Sequence, residues 1–465
     1  MNQFTIYIFN MFFLFVIGCK DYWSCQKTMN AAGANRKELE DLLCHYREID
    51  PNREKFRAAV FLIKNLSAHQ SYMGDAINEY YDYAKKILGD STLTPEQQRD
   101  SLLEITDLEY RYLTDNVISD AQIIKASFLI DNIDKSYTLW KTSPWASHIS
   151  FDYYLEWLLP YKAVELQELD GWRDTLFSFF GESLASQIKN DVEYGTTFGM
   201  AEKIKNNISQ GVNRHGLYTR AGLPLLSSYL LPRQTFGDIH DYSLLALLTF
   251  RASGIPSVID ETPVGARDIA ASRWFVVLSD RGNEMTSEWD ISTNIGGSFF
   301  PYERGPKVYR RTYAINQDRQ NYYNKAKWIY PFDLFHKDVT SLYFLDSDIH
   351  LNLKKHTRSK LKDKYVYIAS AIRKGQDSLA VIAGVPELPD WKIIDFGVIK
   401  GKSACFKSLG REVLYMALGY DGNKLIPLDN PFILHKDGSL EFVLYDTVNS
   451  KHLDMWRNNN NTIRP

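Results

Sequence analysis

Apolar residues recur at helical spacing through the first third of the chain. Each of two sets falls on one helix face: Leu39, Leu42, Leu43 and Tyr46, and then Phe56, Val60 and Ile63. Asn35 with Glu38 three residues later predicts a capping box at the start of the first helix. The segment Thr94-Pro95-Glu96-Gln97 predicts a further helix start, with proline in the first turn. These signals predict a helical region over residues 19–135.

The middle of the chain, residues 136–335, changes from helical to strand periodicity. The segment 151–160 predicts a buried helix stopped by its proline, and Tyr242–Phe250 predicts an apolar helix that ends at Gly254. Short apolar runs at 257–260, 274–278 and 285–290 predict three strands. This order predicts one helix packed on an antiparallel sheet.

The last part, residues 336–465, is rich in β-branched and aromatic residues. Five runs have strand length: KYVYIAS, LAVIAGV, KIIDFGVI, REVLYMALGY and SLEFVLYD. Asp421-Gly422-Asn423 and Asp437-Gly438 predict tight turns between them. Many short strands with turn signals predict a β-sandwich, so the expected fold class is α+β.

The N-terminus predicts export. Residues 4–18 are apolar, too short a run to span a bilayer comfortably, and have the length of a signal-peptide core, although no Lys or Arg precedes them. Val16-Ile17-Gly18-Cys19 resembles a bacterial lipobox. The resemblance implies a signal peptide over 1–18, a lipid on Cys19 and attachment to the outer membrane. It does not indicate which face of that membrane holds the anchor. The alternative is a buried N-terminal helix or strand.

Composition and charge narrow the chemistry. Apolar residues make up 45% of the 465 residues, which excludes a disordered chain, and the net charge of -3 disfavours nucleic-acid binding. Three cysteines would remain after lipidation, and an odd, scattered set predicts no disulfide framework. Cys44 and Cys405 are expected to be core thiols. The sequence contains no Cys/His cluster and no HExxH motif, so no metal or cofactor is predicted.

The stretch GDIHDYSLLALLTFRASGIPSVID followed by ASRWFVVLSDRGN resembles the core of the transglutaminase-like superfamily, which has a papain-like cysteine-enzyme fold. Arg251, Gly254, Ile255 and Pro256 match its R-x-x-GIP helix ending. The segments AGANRKEL, LPY, KVYRRTY and PFIL resemble, in order, those of transglutaminase-like lipoproteins from anaerobic Gram-negative bacteria. Together these segments extend the resemblance over most of the chain.

The resemblance also locates the family's catalytic triad. The nucleophilic cysteine belongs near the start of the core helix, where this chain has Ile239, and the basic histidine position holds Ser272. Asp290 is the loosely aligned third position. An alkyl side chain cannot attack a carbonyl, and Ser272 cannot accept a proton near neutral pH. His240 is a possible substitute, although a local pair with Ser243 has the wrong approach geometry for a triad.

Four further residues are candidate ligand contacts. Asp260 and Glu261 follow a predicted strand towards the expected cleft, Arg267 lies in the loop above it, and Trp274 opens the next strand. A plain loop role is the competing interpretation for the two acids. Glu156, Glu165 and Glu168 are expected on the solvated side of an aromatic helix. Core packing is the expected role of Trp391 and Tyr420, which could otherwise form an exposed aromatic patch.

Three functions follow as hypotheses. The first is an envelope lipoprotein whose transglutaminase-like domain has lost catalysis and binds an extracellular peptide or glycan. The second is an active amide-bond hydrolase with relocated catalytic groups such as His240, Asp241 or Asp290. The third is a structural or assembly component of a surface complex. The two lost triad positions favour the first.

Overall fold

The computed structural model describes most of the chain beyond its N-terminus. It covers residues 24–50, 52–113, 116–181, 197–211, 216–217, 224–233, 236–237, 239–264, 272–278, 287–289, 304–371 and 391–443. The chain divides into two compact units. Unit 1 comprises Met1–Val258 and Phe275–Gly297, and unit 2 comprises Ile259–Trp274 and Ser298–Pro465.

Unit 1 is mainly helical. Its described helices are 24–31, Arg36–Ile49, Glu54–Leu66, Asp75–Gly89, Pro95–Leu113, Ala126–Thr142, Phe151–Trp157, Trp172–Leu176, Thr197–Gly211 and Ile239–Ala252. The apolar stripe predicted from Leu39 to Tyr46 is buried, and its helix packs against the helices Glu54–Leu66 and Ala126–Thr142. The last helix, called the core helix below, packs against Trp172–Leu176 and Thr197–Gly211.

One predicted helix cap is confirmed and the other is wrong. The backbone N–H of Gln97 donates to Thr94 Oγ1, and Gln97 Oε1 accepts from the backbone N–H of Thr94. Asn35 occupies the N-cap position without a cap hydrogen bond, because its side-chain amide donates to the Ala121 and Ile124 carbonyls at 3.0 and 2.8 Å. Glu38 accepts instead from the backbone N–H of Ala126. Both side chains thus fix tertiary contacts.

The R-x-x-GIP segment ends the core helix and starts the next strand. Gly254 has a φ of +81°, and the N–H of Ile255 donates to the Phe250 carbonyl across the turn. The buried guanidinium of Arg251 donates through Nε and Nη2 to the Ser257 carbonyl at 3.0 and 2.9 Å. Arg251 therefore ties the end of the helix to the beginning of the strand.

The strands predicted in the middle of the chain are present. They are β5 (Ser257–Thr262), β6 (Ser272–Val277) and β7 (Ser287–Trp289), after the short strands β1 (Gln70–Tyr72), β2 (Val117–Ser119), β3 (Gly216–Leu217) and β4 (Phe236–Gly237). β6 pairs antiparallel with β7, with Phe275 opposite Trp289. The rings of Phe250 and Phe275 lie 5.6 Å apart, so the core helix packs on this pair.

Unit 2 contains one curled antiparallel sheet of eight strands. The strands are β10 (Asp346–Asn352), β11 (Tyr365–Ala371), β12 (Trp391–Lys400), β13 (Ser403–Gly410), β14 (Val413–Tyr420), β15 (Leu425–Pro427), β16 (Phe432–Leu434) and β17 (Leu440–Phe442). Their order is β10-β13-β12-β11-β14-β16-β17, and β15 also pairs with β14. The described strands between Asp346 and Phe442 thus form one sheet, where the sequence predicts the two packed sheets of a sandwich. Strands β8 (Tyr309–Arg311) and β9 (His336–Asp338) lie outside this sheet and pair with each other.

Each face of this sheet carries its own apolar cluster. Val366, Ile368 and Phe406 belong to one cluster, and Tyr367, Ile393 and Met416 belong to the other. Tyr322 and Phe332 cover part of the second face, and Tyr322 lies in the helix Gln317–Lys325. The remaining elements of unit 2 are β8 (Tyr309–Arg311), β9 (His336–Asp338) and the helices Thr340–Tyr343 and Lys355–Lys360.

The two units differ from the three predicted regions. The expected boundary at residue 135 falls inside the helix Ala126–Thr142, and the one at 335 lies directly before β9. The signal peptide at 1–18, Cys19 and the predicted strand LAVIAGV lie outside the described residues. None of the described helices combines the length and apolarity that a membrane span requires.

Gly254→Ala should destabilise unit 1 by about 1–2 kcal/mol. The left-handed backbone there disfavours any Cβ, and an added Cβ would lie 3.4 Å from Trp145 Nε1. Trp145 also donates to the Ser253 carbonyl in this turn. Chemical denaturation followed by tryptophan fluorescence measures the loss. Gly89→Ala is the control, because nothing lies within 4 Å of its Cβ position, and an equal effect of both changes would contradict the argument.

Candidate functional site

Two of the positions that the sequence resemblance assigns to catalysis lie at the starts of elements. Ile239 is the first residue of the core helix and Ser272 is the first residue of β6. The side chains of Ile239, His240 and Ser272 lie outside the described part, as do Asp290 and Arg267 altogether. The assembly of these residues into one site therefore stays a prediction.

Asp260 has a structural role that its position in the sequence does not reveal. Its carboxylate is fully buried and accepts from Arg310 Nε and Nη2, both at 2.9 Å, and from Tyr343 Oη at 2.6 Å. The buried indole of Trp274 donates to the same Tyr343 oxygen at 3.1 Å. Burial and the neighbouring carboxylate raise the pKa of Tyr343. Asp260 and Trp274 are therefore enclosed in a hydrogen-bonded cluster, where a ligand-contact role finds no support.

Glu261 lies on the opposite face of β5, among cations. It accepts from Arg273 Nε at 2.6 Å, and its other oxygen lies 2.8 Å from His336 Nε2. Arg311 lies 3.8 Å from Glu261 and donates to Asp333 at 2.8 Å. Burial opposes ionisation, but the contacts with His336, Arg311 and Arg273 outweigh it and hold the pKa of Glu261 well below its usual range. Glu261 thus connects β5 to β8 and β9 through its contacts with Arg311 and His336.

A cleft of about 430 Å³ opens in unit 2, beside the helix Gln317–Lys325 and strands β8, β9 and β11–β13. Most of its lining residues are charged or polar in type, and the full set is Tyr309, Asn316, Asp318, Arg319, Asn321, Lys325, His336, Asp338, Lys364, Tyr365, Asp395, Phe396, Gly397, Val398, Lys400, Cys405 and Lys407. We call this feature the unit 2 cleft. Its volume falls within the range of small-molecule sites.

Buried cations neutralise two of the acids in the unit 2 cleft. The Lys307 ammonium group is fully buried, contacts Asp338, and lies 3.2 Å from Asp395 Oδ2. It also donates to the Lys407 carbonyl at 2.7 Å. Arg319 lies 3.5 Å from Asp395 Oδ1 and stacks over the Tyr309 ring at 4.8 Å. Neither Asp338 nor Asp395 therefore presents an uncompensated negative charge to the cleft.

Four lysines in the lining of the unit 2 cleft are exposed: Lys325, Lys364, Lys400 and Lys407. Within the described part of the chain none of them forms an ion pair. Asp318 is the one lining acid without a paired cation there, and it lies in the first turn of its helix. The cleft therefore carries an excess of positive charge, unlike the whole chain. Local charge of this kind concentrates anions.

Cys405 lines this cleft and is not the core thiol that the sequence predicts. It is half-buried, and its Sγ lies 3.1 Å from Nδ1 of His350, the residue opposite on β10. Cys44 is exposed, because it lies between Leu43 and Tyr46 in sequence but on another side of the helix, so the expectation of a core thiol is wrong there too. Cys25 is buried. Because side chains alternate along a strand, the sequence could have placed Cys405 and Phe406 on different faces of the sheet.

The remaining candidate residues do not form a common site. Glu165 and Glu168 follow the helix Phe151–Trp157 instead of lying on it. Glu165 contacts His69 Nδ1 at 2.7 Å, and burial with the nearby Asp170 raises the pKa of Glu168 to about 7. Trp391 is buried, as expected for a core residue.

The comparisons with known proteins assign no relative. No protein-family model, curated protein or solved structure matches this chain. The geometry of the described residues is therefore what carries the functional argument. Within those residues no group of three or more potential ligands could hold a metal ion.

Arg310→Met should lower the free energy of unfolding by about 3–5 kcal/mol, because it leaves the Asp260 carboxylate buried without its cation. Urea denaturation of the full chain measures this. Lys360→Met, at an exposed position, is the control and should change stability little. The double variant Asp260→Asn/Arg310→Met should lose less than the sum of the single changes. Additive losses would show that the two side chains do not act as a pair.

The ratio of the iodoacetate rate to the iodoacetamide rate should be higher at Cys405 than for a free thiol such as N-acetylcysteine, because the lysines that line the cleft with Cys405 attract the anionic reagent. The thiolate sulfur displaces iodide from either reagent, and comparison with the free thiol removes the intrinsic difference between the two reagents. This excess in the ratio is the preference of Cys405 for iodoacetate. Lys400→Gln/Lys407→Gln should lower this preference several-fold at Cys405 and leave that of exposed Cys44 unchanged. Peptide mass spectrometry gives the rate at each cysteine. An unchanged preference at Cys405 would show that the lysines exert no such field.

Proposed function

We propose that the chain is a catalytically inactive transglutaminase-like protein of the bacterial envelope that binds an extracellular peptide or glycan. The observation that carries the proposal is the start of the core helix at Ile239, where the family has its cysteine. No cysteine occurs between Cys44 and Cys405, so the helix has no other thiol to offer. Without a nucleophile the scaffold can still bind a ligand.

The segments that carry the family resemblance have structural roles, which supports a scaffold kept without its chemistry. Arg251 of the R-x-x-GIP segment joins the core helix to β5. The LPY segment provides two carbonyls for the buried Arg173 guanidinium, whose Nη2 donates to the Leu159 and Pro160 oxygens, both at 3.2 Å. Tyr161 donates to the buried Asp120 at 2.6 Å. None of these contacts requires a catalytic triad.

Attachment to the envelope is part of the same proposal. The apolar run before Cys19 and the lipobox-like residues support a lipid on Cys19 and location at the outer membrane. A lipid-anchored protein without catalysis acts through what it captures. The proposed partner is therefore a peptide or glycan outside the cell, and no cofactor takes part.

Two measurements on the purified full chain test this proposal. Amine incorporation, peptidase and amidase assays should show no turnover, because Ile239 and Ser272 replace the nucleophile and the base. Arrays of peptides and glycans should show saturable binding to the same preparation.

Turnover that is lost in His240→Ala but retained in His435→Ala would contradict the proposal and favour relocated catalytic groups. His435 suits this control because it lies at a hairpin tip, 2.8 Å from Glu441. Absence of binding to every peptide and glycan would contradict the binding role.

A further inference from the structure

We propose that the unit 2 cleft binds an acidic oligosaccharide, whose carboxylates contact the lysines of its lining. This inference rests on the proposed function, because it assigns the site and the chemical class of the ligand. The family's triad positions take no part in it.

The charge of the lining favours an anion. Lys325, Lys364, Lys400 and Lys407 oppose one acid without a paired cation, Asp318. The other two acids, Asp338 and Asp395, are held by Lys307 and Arg319 inside the protein. An entering carboxylate would therefore meet ammonium groups without strong repulsion from the cleft wall. A neutral ligand would form no ion pair with these lysines.

The rest of the lining suits a ligand rich in hydroxyl groups. The exposed Asn321 offers both a donor and an acceptor, and Asp318 offers acceptors. Half-buried Phe396 and Val398 add an apolar surface on β12, against which the C–H groups of a sugar ring can pack.

The pairing of the strands disfavours an extended peptide. β11, β12 and β13 form the sheet side of the cleft, and β12 pairs with β13 only from Val398 to Lys400. Beyond that pairing the strand edges are contacted by side chains, because Tyr309 Oη donates to the Ile394 carbonyl at 2.8 Å and Lys307 Nζ donates to the Lys407 carbonyl at 2.7 Å. A peptide strand added there would have to displace these contacts, so recognition by side chains is favoured. Charged and amide side chains around a small volume favour a short acidic glycan.

Isothermal titration calorimetry of the full chain tests the inference with uronate trisaccharides of galacturonate, mannuronate and guluronate. Each is compared with its methyl ester, which keeps the sugar and removes the charge. We expect the acid to bind at least tenfold more tightly than its ester. The affinity should fall as salt rises from 0.02 to 0.5 M, because salt screens exposed charges.

Matched variants locate the binding. Lys400→Gln/Lys407→Gln should weaken binding of the acid at least tenfold, while Lys424→Gln, at an exposed position outside the cleft lining, should leave it unchanged. Circular dichroism checks that each variant keeps its fold. Lys325→Gln/Lys364→Gln provides a second charge-removing pair on other elements of the lining, in case the first pair alters β13.

The outcomes separate the inference from the proposed function. If arrays capture only neutral glycans or peptides, the inference fails while the proposed binding role stands. Equal affinity for a peptide of the same negative charge, or binding that survives both lysine pairs, also overturns the inference. If no array ligand and no uronate binds, both fail.

Discussion

The buried ammonium group of Lys307 is the contact on which the unit 2 cleft depends. It is enclosed by Asp338 of β9, Asp395 of β12 and the Lys407 carbonyl of β13, and so connects three strands at one point. A buried charge is stable only when it is paired and hydrogen-bonded. The same contacts that satisfy Lys307 fix the position of the cleft floor and neutralise its acids. The buried ammonium group of Lys307 thus offsets the two acids, and the exposed lysines of the lining set the charge that the cleft presents to solvent.

A similar logic extends through the strand that follows. Arg310 is satisfied by Asp260 on one face of β8, while Arg311 is satisfied by Asp333 and Glu261 on the other. Tyr309 stacks on His336 at 5.1 Å, on the same side of β8 as Arg311. Most of the charged segment KVYRRTY is therefore buried instead of forming a solvated surface run. Its ion pairs hold the strand in place, and Tyr309 is its one residue in the cleft lining.

The sequence predicts the elements of this fold better than its contacts. Helical periodicity places the buried stripe from Leu39 to Tyr46, and turn residues mark the end of the core helix at Gly254, because both signals are local. The strands β10 and β13 are missed because charged and small residues interrupt their alternation. The predicted capping box at Asn35 is absent because the side-chain amide of Asn35 donates to the carbonyl of Ala121, 86 positions away in the sequence.

The cleft itself could not be predicted from the chain. Its lining joins residues from 309 to 407 that lie on six elements, and neither spacing nor motif connects them. Asp260 and Glu261 are candidates in the sequence, but the structure pairs Asp260 with the buried Arg310 and places Glu261 beside Arg273, Arg311 and His336. The sequence around an acidic residue next to a strand does not indicate whether its carboxylate contacts a ligand or pairs with an arginine. The distinction depends on which distant strand pairs with them.

The alternation along β8 has a consequence for how this protein can evolve. Tyr309 and Arg311 face one network while Arg310 faces the other, so inserting or deleting one residue would exchange the two sides. Two arginines would then meet the wrong neighbours and lose their counter-ions together. Relatives of this chain should vary in loop length elsewhere, while indels within this short strand should be absent.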